Sequence, residues 1–526
     1  MFAKPGKSSI ITSLIVLFAA VVLALSIRGF PGNPTITELN TTYWKDNGPF
    51  ELSPERGRFA LLYSLVENHS MTFTPDIARF TSPDVGYFNH HYVSIFAPSL
   101  SFLAIPGYIM GKYFGISQVG TFAWMALFAV LNIVLIRLIA IRLGAHPLAA
   151  IIAGLTFLFA TPAFAYAVTM YEHHISTFLI LLGLYLLIRY NTIYSLAAIW
   201  FLYAFSFTVD YPNIFMMLPV VVAAAFRFFT VKQISERIFV RVSFARILTL
   251  AGVILPLAFF LWYNKAAYGN PLQLSGTVFR VMAVKPNGSP VLLVDILKAQ
   301  LAAAKQKIVL PPPGSVFSMF QTRNMINGLY ILFLSPDRGT IVFTPVILLG
   351  VVGMILANRR KMKYLSVLVS IIGFDVLLYS MWGDPYGGWA FGARYLIPAY
   401  AILAIFLALA LTYWKKYNLF LFCFFLAFVY SAGVNTLGAL TSNSNPPKIE
   451  AVALSNQTHT IQQYTYMRNV TMLEDDGSKA FIFQVAAQNY ISAWTYYSIV
   501  TVSIFTVTGL LLVAYRMKKE GVGHAV

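Results

Sequence analysis

"SIFAPSLSFLAIPGYIMGKYFG", Ser94–Gly115, is the stretch on which the topology of this chain turns. It is apolar and, as a helix, long enough to reach across a hydrocarbon layer of ~30 Å. It also carries Pro98 and Pro106, and proline inside a helix removes a hydrogen bond and clashes with the preceding turn. Whether this stretch crosses decides the side on which every later loop falls. The rest of the chain supplies the answer. Over 526 residues it is 58% hydrophobic and 11% charged, the composition of a polytopic membrane protein. Outside Ser94–Gly115, about twelve apolar stretches read as membrane helices: 9–27, 121–140, 148–166, 174–189, 193–209, 212–226, 244–263, 340–357, 363–382, 395–413, 418–434 and 493–515.

The basic residues test that count. Lys4 and Lys7 precede the first helix, Arg137 and Arg142 follow the second, and Arg189 follows the fourth. Arg227, Lys232, Arg237, Arg241 and Arg246 join the sixth to the seventh. Arg359, Arg360, Lys361 and Lys363 follow the eighth, Lys415 and Lys416 the tenth, and Arg516, Lys518 and Lys519 the last. With twelve helices every cluster lies on one side, and the positive-inside rule makes it cytoplasmic. If Ser94–Gly115 crossed, all the later clusters would flip. It is therefore read as an interfacial or re-entrant segment against the outer leaflet.

The fold expected is all-α and polytopic: one transmembrane domain over 1–526 with both termini cytoplasmic. Its long extracytoplasmic loops are 28–120, 264–339, 383–394 and 435–492. The first apolar segment has no small-residue cleavage site before Arg28 and reads as an uncleaved helix. The net charge of +18 is distributed in short clusters between apolar stretches, not along one polar face, which argues against a nucleic-acid partner. A single cysteine, Cys423, allows no intramolecular disulfide. "IVLPPPGSV", 308–316, reads as a rigid kink, and no internal repeat is evident.

The charges that remain gather in the extracytoplasmic loops, more of them in the first than in any other, and include those of "ELSPERGRFALLYSLVE", Glu51–Glu67. Ionisable groups near a bilayer are costly and face a wet cavity or a partner. An enzyme acting there on a lipid-linked substrate needs a carboxylate to accept a proton and cations to hold a leaving phosphate. Glu55, between Pro54 and Arg56, fits the first need. Other candidate cavity residues are Asp84, His90, His91 and Tyr92 in "DVGYFNHHY", His173 and His174 in "YEHHIS", and Asp210 and Tyr211 in "TVDYPN". Each has a plain structural reading as well. Glu55 has the ordinary alternative of an ion pair with Arg56 or Arg58, and Glu67 reads as a surface acid. Asp84 and Asp210 have the alternative of capping a turn or a helix. Adjacent histidines diverge, and no HExxH or CxxC spacing supports a metal.

A long first outer loop with an early acid, followed by a proline-containing apolar segment, resembles the GT-C glycosyltransferases. The nearest branch holds the protein O-mannosyltransferases and the lipid A aminoarabinose transferase. "ERGRFA" is similar to that branch's Asp-Glu-x-Arg-Tyr-Ala motif, with Glu55 at the aspartate position and Arg58 at the arginine. "FLSPDRGTIVFTPVILL" and "YGGWAFGARYLIPA" look like segments of large bacterial glycosyltransferase-like membrane proteins. The resemblance implies a sugar donor carried on polyprenyl phosphate, Glu55 as general base, inversion at the anomeric carbon, and no required cofactor. It implies membrane lipid as a partner, and a glycan, lipid or protein of the cell envelope as acceptor. The site would lie on the extracytoplasmic face of a bacterial inner or plasma membrane. Where the family carries a phosphate-holding lysine this chain has Ala97, so Arg394 and Arg338 join Arg58 as candidate donor-phosphate cations. The sugar stays open among hexose, aminoarabinose and arabinofuranose. The alternatives are a lipid-linked-sugar transporter or flippase, an envelope polymerase or ligase, and a non-catalytic assembly protein. A transporter would keep its charges at mid-membrane on broken helices, often in repeats.

Overall fold

A computed structural model describes residues 7–234, 237–303, 320–475 and 477–517. The proline-rich stretch 308–316 lies outside them. A helix forms at each of the twelve apolar stretches. Among the described residues, Ser117–Arg142, Phe244–Tyr268, Arg394–Tyr413, Asn418–Leu440 and Ala493–Met517 are long and apolar enough to cross a membrane. Lys7–Ser26 runs 20 residues; the apolar helices of the other six stretches run 10–17 residues, which at 1.5 Å per residue is about 25 Å at most. They are short because the chain breaks them at polar or proline positions. Thr161 and Pro162 divide 148–166 into Pro147–Phe159 and Ala163–Ala167. Thr344 and Pro345 interrupt 340–357 in the same way. Irregular backbone at such a depth is tolerated where protein or a wet cavity surrounds it.

Ile397–Tyr413 is the central helix. In Arg394–Tyr413 the apolar window is 89% buried, against 17% in Phe244–Tyr268, so the latter faces outward. Leu349–Arg359 packs on the central helix through Gly350 and Gly353. A Cβ on Gly353 would lie 1.8 Å from the Phe406 carbonyl oxygen. Small residues let helix backbones approach this closely. Gly353→Val is therefore expected to lower the thermal midpoint of the detergent-solubilised protein, with an overpacking cost of about 1–3 kcal/mol. An unchanged midpoint would mean that the two helices separate freely.

Ser94–Gly115 forms the helix Ser99–Tyr113, with Pro106 inside it. Its 15 residues reach about 22 Å. The chain turns at Gly115 and lays this helix against Ser117–Arg142, where Gly107 and Gly111 meet Gly120. Glu67, expected on the surface, is partly exposed there and accepts from Tyr108 Oη at 2.8 Å and Lys112 Nζ at 2.7 Å, so it pins this helix.

The all-α expectation needs correction. Four strands, β1 (Val85–Phe88), β2 (His91–Ser94), β5 (Phe279–Val284) and β6 (Pro290–Leu292), form an antiparallel sheet in the order β2-β1-β5-β6. β3 (Phe229–Ile234) and β4 (Arg237–Val242) form a separate hairpin inside the basic connection 227–246. The β1–β5 pairing joins the first and second long loops, and no local pattern encodes a pairing of such distant segments.

Candidate active site

Glu55 lies in the first turn of the helix Ser53–Glu67, directly after Pro54. Proline suits the start of a helix because its missing N–H has no partner there, and the helix dipole favours an acid at the same end. The residues around it, Arg56–Leu62, are buried, and Glu55 itself is 0% exposed. Its Oε1 accepts from Asn443 Nδ2 at 3.0 Å, while Oε2 has no hydrogen-bond partner. Burial raises its carboxyl to about 7, against the opposing pull of the Arg28 charge and the Asn443 hydrogen bond.

Neither neighbouring arginine pairs with Glu55, so the plain ion-pair reading does not hold. Arg56 donates to the carbonyls of Phe50 (3.0 Å), Glu51 (3.1 Å) and Ser82 (3.0 Å). Arg58 forms an ion pair with Glu172 and lies 4.3 Å above the Phe96 ring and 5.3 Å from that of Tyr171.

The break after Ala163–Ala167 brings Tyr171, Glu172 and His173 to the same place. Arg394 enters from the start of the central helical segment. Its guanidinium sits 5.1 Å from the Tyr171 ring, 5.3 Å from Tyr395 and 6.0 Å from Tyr166. Its Nε and Nη1 have no hydrogen-bond partner. Gly387, at φ +73°, permits this approach, since a Cβ there would lie 3.0 Å from Arg394 Nε. Asp210 caps the helix Ile193–Val209 and feels the charges of Glu172, Arg58 and Arg394. Burial and the Glu172 charge push Asp210 well up. Burial also acts against the Glu172 charge, but Arg58, His173 and Arg394 outweigh it and hold Glu172 low. Asp210 thus holds its proton more tightly than Glu172 does.

Unpartnered buried polar atoms gather here: Glu55 Oε2, Thr169 Oγ1, Tyr171 Oη, His173 Nε2, and Arg394 Nε and Nη1. Buried polar groups are almost always hydrogen-bonded, so such a concentration marks the place of a ligand or water.

The structure separates the other candidates from this cluster. Asp84 accepts from Ser53 Oγ at 2.6 Å and pairs with Arg280 at 3.1 Å, which ties the helix start to β5. His90 and His91 are exposed on the β1–β2 turn. Tyr92 donates to the Gly288 carbonyl at 2.8 Å within the sheet region. His174 donates through Nε2 to the Ala163 carbonyl at 2.7 Å and supports the helix break. Tyr211 shares a 2.7 Å hydrogen bond with Ser275.

Arg338 is fully buried, but its guanidinium is committed to the carbonyls of Tyr386 (3.1 Å), Asp337 (2.7 Å), Gly388 (3.0 Å) and Asn445 (2.7 Å). Its geometry is that of a strut for the loop carrying Gly387. Arg338→Met is therefore expected to lower the yield and thermal midpoint of the protein, by about 3–5 kcal/mol of stability, because it leaves carbonyls unpaired in the interior. A fully stable Arg338→Met protein would show that the strut is dispensable.

Sequence reading missed Arg28, Glu51, Tyr166 and Lys479, and marked the stretch that holds Asn443, "SNSNPPKIE", only as the start of an outer loop that could bind the acceptor or cover the cavity. Glu51 pairs with Lys479 and accepts from Ser442 Oγ at 2.6 Å. The one local signal was the density of polar residues in "TSNSNPP" after an apolar helix. Among the described residues, no group of three or more His, Cys, Asp or Glu is placed to hold a metal ion.

No protein-family model matches the chain, and no curated protein matches it. Among solved structures it is similar to ArnT from Cupriavidus metallidurans in the apo state, at a TM-score of 0.44 and 12% identity. It is likewise similar to the same ArnT bound to undecaprenyl phosphate, at 0.43 and 12%. Each comparison covers 97% of this chain and 78% of that one.

Proposed function

We propose that this chain is an integral-membrane glycosyltransferase. It would move a sugar from a polyprenyl-phosphate-linked donor to a hydroxyl of an envelope glycan, lipid or protein on the outer face of the membrane. The observation that carries this reading is the buried, unpaired carboxylate oxygen of Glu55 in one cluster with the unpaired guanidinium nitrogens of Arg394. A base and a cation with open donors are the two groups that the reaction asks of the protein.

In the proposed reaction Glu55 takes the proton of the acceptor hydroxyl. The oxygen attacks the anomeric carbon, the bond from that carbon to the phosphate oxygen breaks, and polyprenyl phosphate leaves. A single in-line displacement inverts the anomeric centre. Arg394 faces the charge that develops on the phosphate. Arg58 adds to the positive field, although its guanidinium is shared with Glu172. With a carboxyl near 7, Glu55 is partly ionised at neutral pH, which suits a general base.

The test is transfer in membranes from a panel of radiolabelled polyprenyl-phosphate sugars to envelope extract, with the product anomer assigned. Transfer with inversion from one donor is expected. Retention would rule out the single displacement. No transfer from any donor, with donor lipid appearing on the opposite leaflet, would favour a flippase. Joining of preassembled glycans would favour a ligase or polymerase.

A further inference from the structure

We propose that Asn443, with Arg28 behind it, is a positioning residue for Glu55: an amide locked by an arginine holds one carboxylate oxygen and leaves the other facing the cluster. The proposal rests on the reading of Glu55 as the base.

Asn443 lies just past the end of the helix Asn418–Leu440, in a run from Thr441 to Asn445 that is buried though polar. Such a run is costly unless paired. Arg28, just past the helix Lys7–Ser26, is 1% exposed and reaches across to that helix end. It donates to the carbonyls of Gly438 and Ala439 and, through Nη1, to Asn443 Oδ1 at 2.9 Å. Carbonyls at a helix C-terminus lack partners within the helix and attract a cation.

Arginine can only donate. The Asn443 oxygen must therefore face Arg28, and its NH2 must face Glu55, where the 3.0 Å contact is found. The chain of donors runs one way, from Arg28 to Asn443 to Glu55. A second tie reinforces it. Glu51 accepts from Ser442 Oγ at 2.6 Å, pairs with Lys479 and lies 4.0 Å from Arg28 Nη1. Glu51 and Glu55 are thus both held by the segment that follows the helix Asn418–Leu440.

A hydrogen bond given to a carboxylate favours its ionised form. The charged and titratable groups that act on Glu55 are Arg28, Glu51, Arg56, Tyr166 and Tyr171. Among the described residues, the neutral side chains that act on it are Asn443, which donates at 3.0 Å, and Thr169.

Asn443→Ala is expected to move the acidic limb of the kcat/KM–pH profile upward by about one unit. The rate would fall about tenfold at pH 6, recover above the limb, and leave the donor KM unchanged. A uniform loss at every pH, with the limb in place, would overturn the proposal. A second readout does not depend on activity. The protonated-carboxyl infrared band that Glu55→Gln removes should titrate at higher pH in Asn443→Ala than in wild type. If that band moves while Glu55→Gln still transfers sugar, the positioning stands and the base reading falls. If the band does not move, the positioning falls whatever the activity. Should Asn443→Ala fail to fold, Asn443→Ser and Arg28→Lys take the same two measurements, and an upward shift is again the expected result.

Discussion

Glu55→Gln is expected to reduce sugar transfer by about a thousandfold, near the middle of the range for loss of a general base. The same substitution should make the protein more stable at pH 8. The carboxyl is fully buried and raised from 4.5 to about 7, so the folded state binds this proton more tightly than the unfolded state. Its stabilising contribution is complete below the unfolded value, is lost as pH rises through the folded value, and is absent above about 7. Glutamine never ionises and escapes that loss. The shift of about 2.5 units corresponds to on the order of 3 kcal/mol. The thermal midpoint of the variant should exceed that of wild type at pH 8, and the gap should close towards pH 4.5. An inactive variant that is also less stable at every pH would make Glu55 a structural residue. Equal transfer by both proteins would remove it from the chemistry and leave Asp210 as the next candidate, since Asp84 is tied to Ser53 and Arg280.

Arg394→Met is expected to lower transfer by about a hundredfold to a thousandfold, the usual effect of removing one donor aimed at developing charge. The fold should survive, because Nε and Nη1 hold no protein partner and methionine keeps much of the length that packs between Tyr166, Tyr171 and Tyr395. The phosphate can be read separately. Free polyprenyl phosphate should raise the thermal midpoint of wild type and do little for Arg394→Met, since a ligand stabilises only the state that binds it. If the variant keeps the full thermal shift, the phosphate sits elsewhere, and Arg58 with its partner Glu172 becomes the place to look. The contrast with Arg338→Met is diagnostic. One arginine has unpaired donors and should cost activity; the other is fully hydrogen-bonded and should cost stability.

In sequence these two arginines look alike. Each sits within two residues of a glycine in a loop near a helix, and nothing in "SPDRGT" or "FGARYL" shows which guanidinium meets carbonyls. Glu55 was more legible, because Pro54 before it and the motif around it mark a helix start with an acid in its first turn. Its surroundings were not legible. Asn443 reaches it from 388 residues away, and Glu172 draws Arg58 away from it.

What the sequence by itself determined is where the helices form. Long apolar runs are local, and burying them leaves the backbone no better partner than itself, so the twelve stretches are helical whatever they pack against. Only the tertiary structure decided which polar group faces which. That depends on segments distant in the chain meeting at one end of the bundle, where each carboxylate, amide and guanidinium takes the partner that geometry leaves within reach. The unpaired oxygen of Glu55 and the unpaired nitrogens of Arg394 are what remain after those pairings are complete. No pattern along the chain records them, because they are defined by the absence of a neighbour in space.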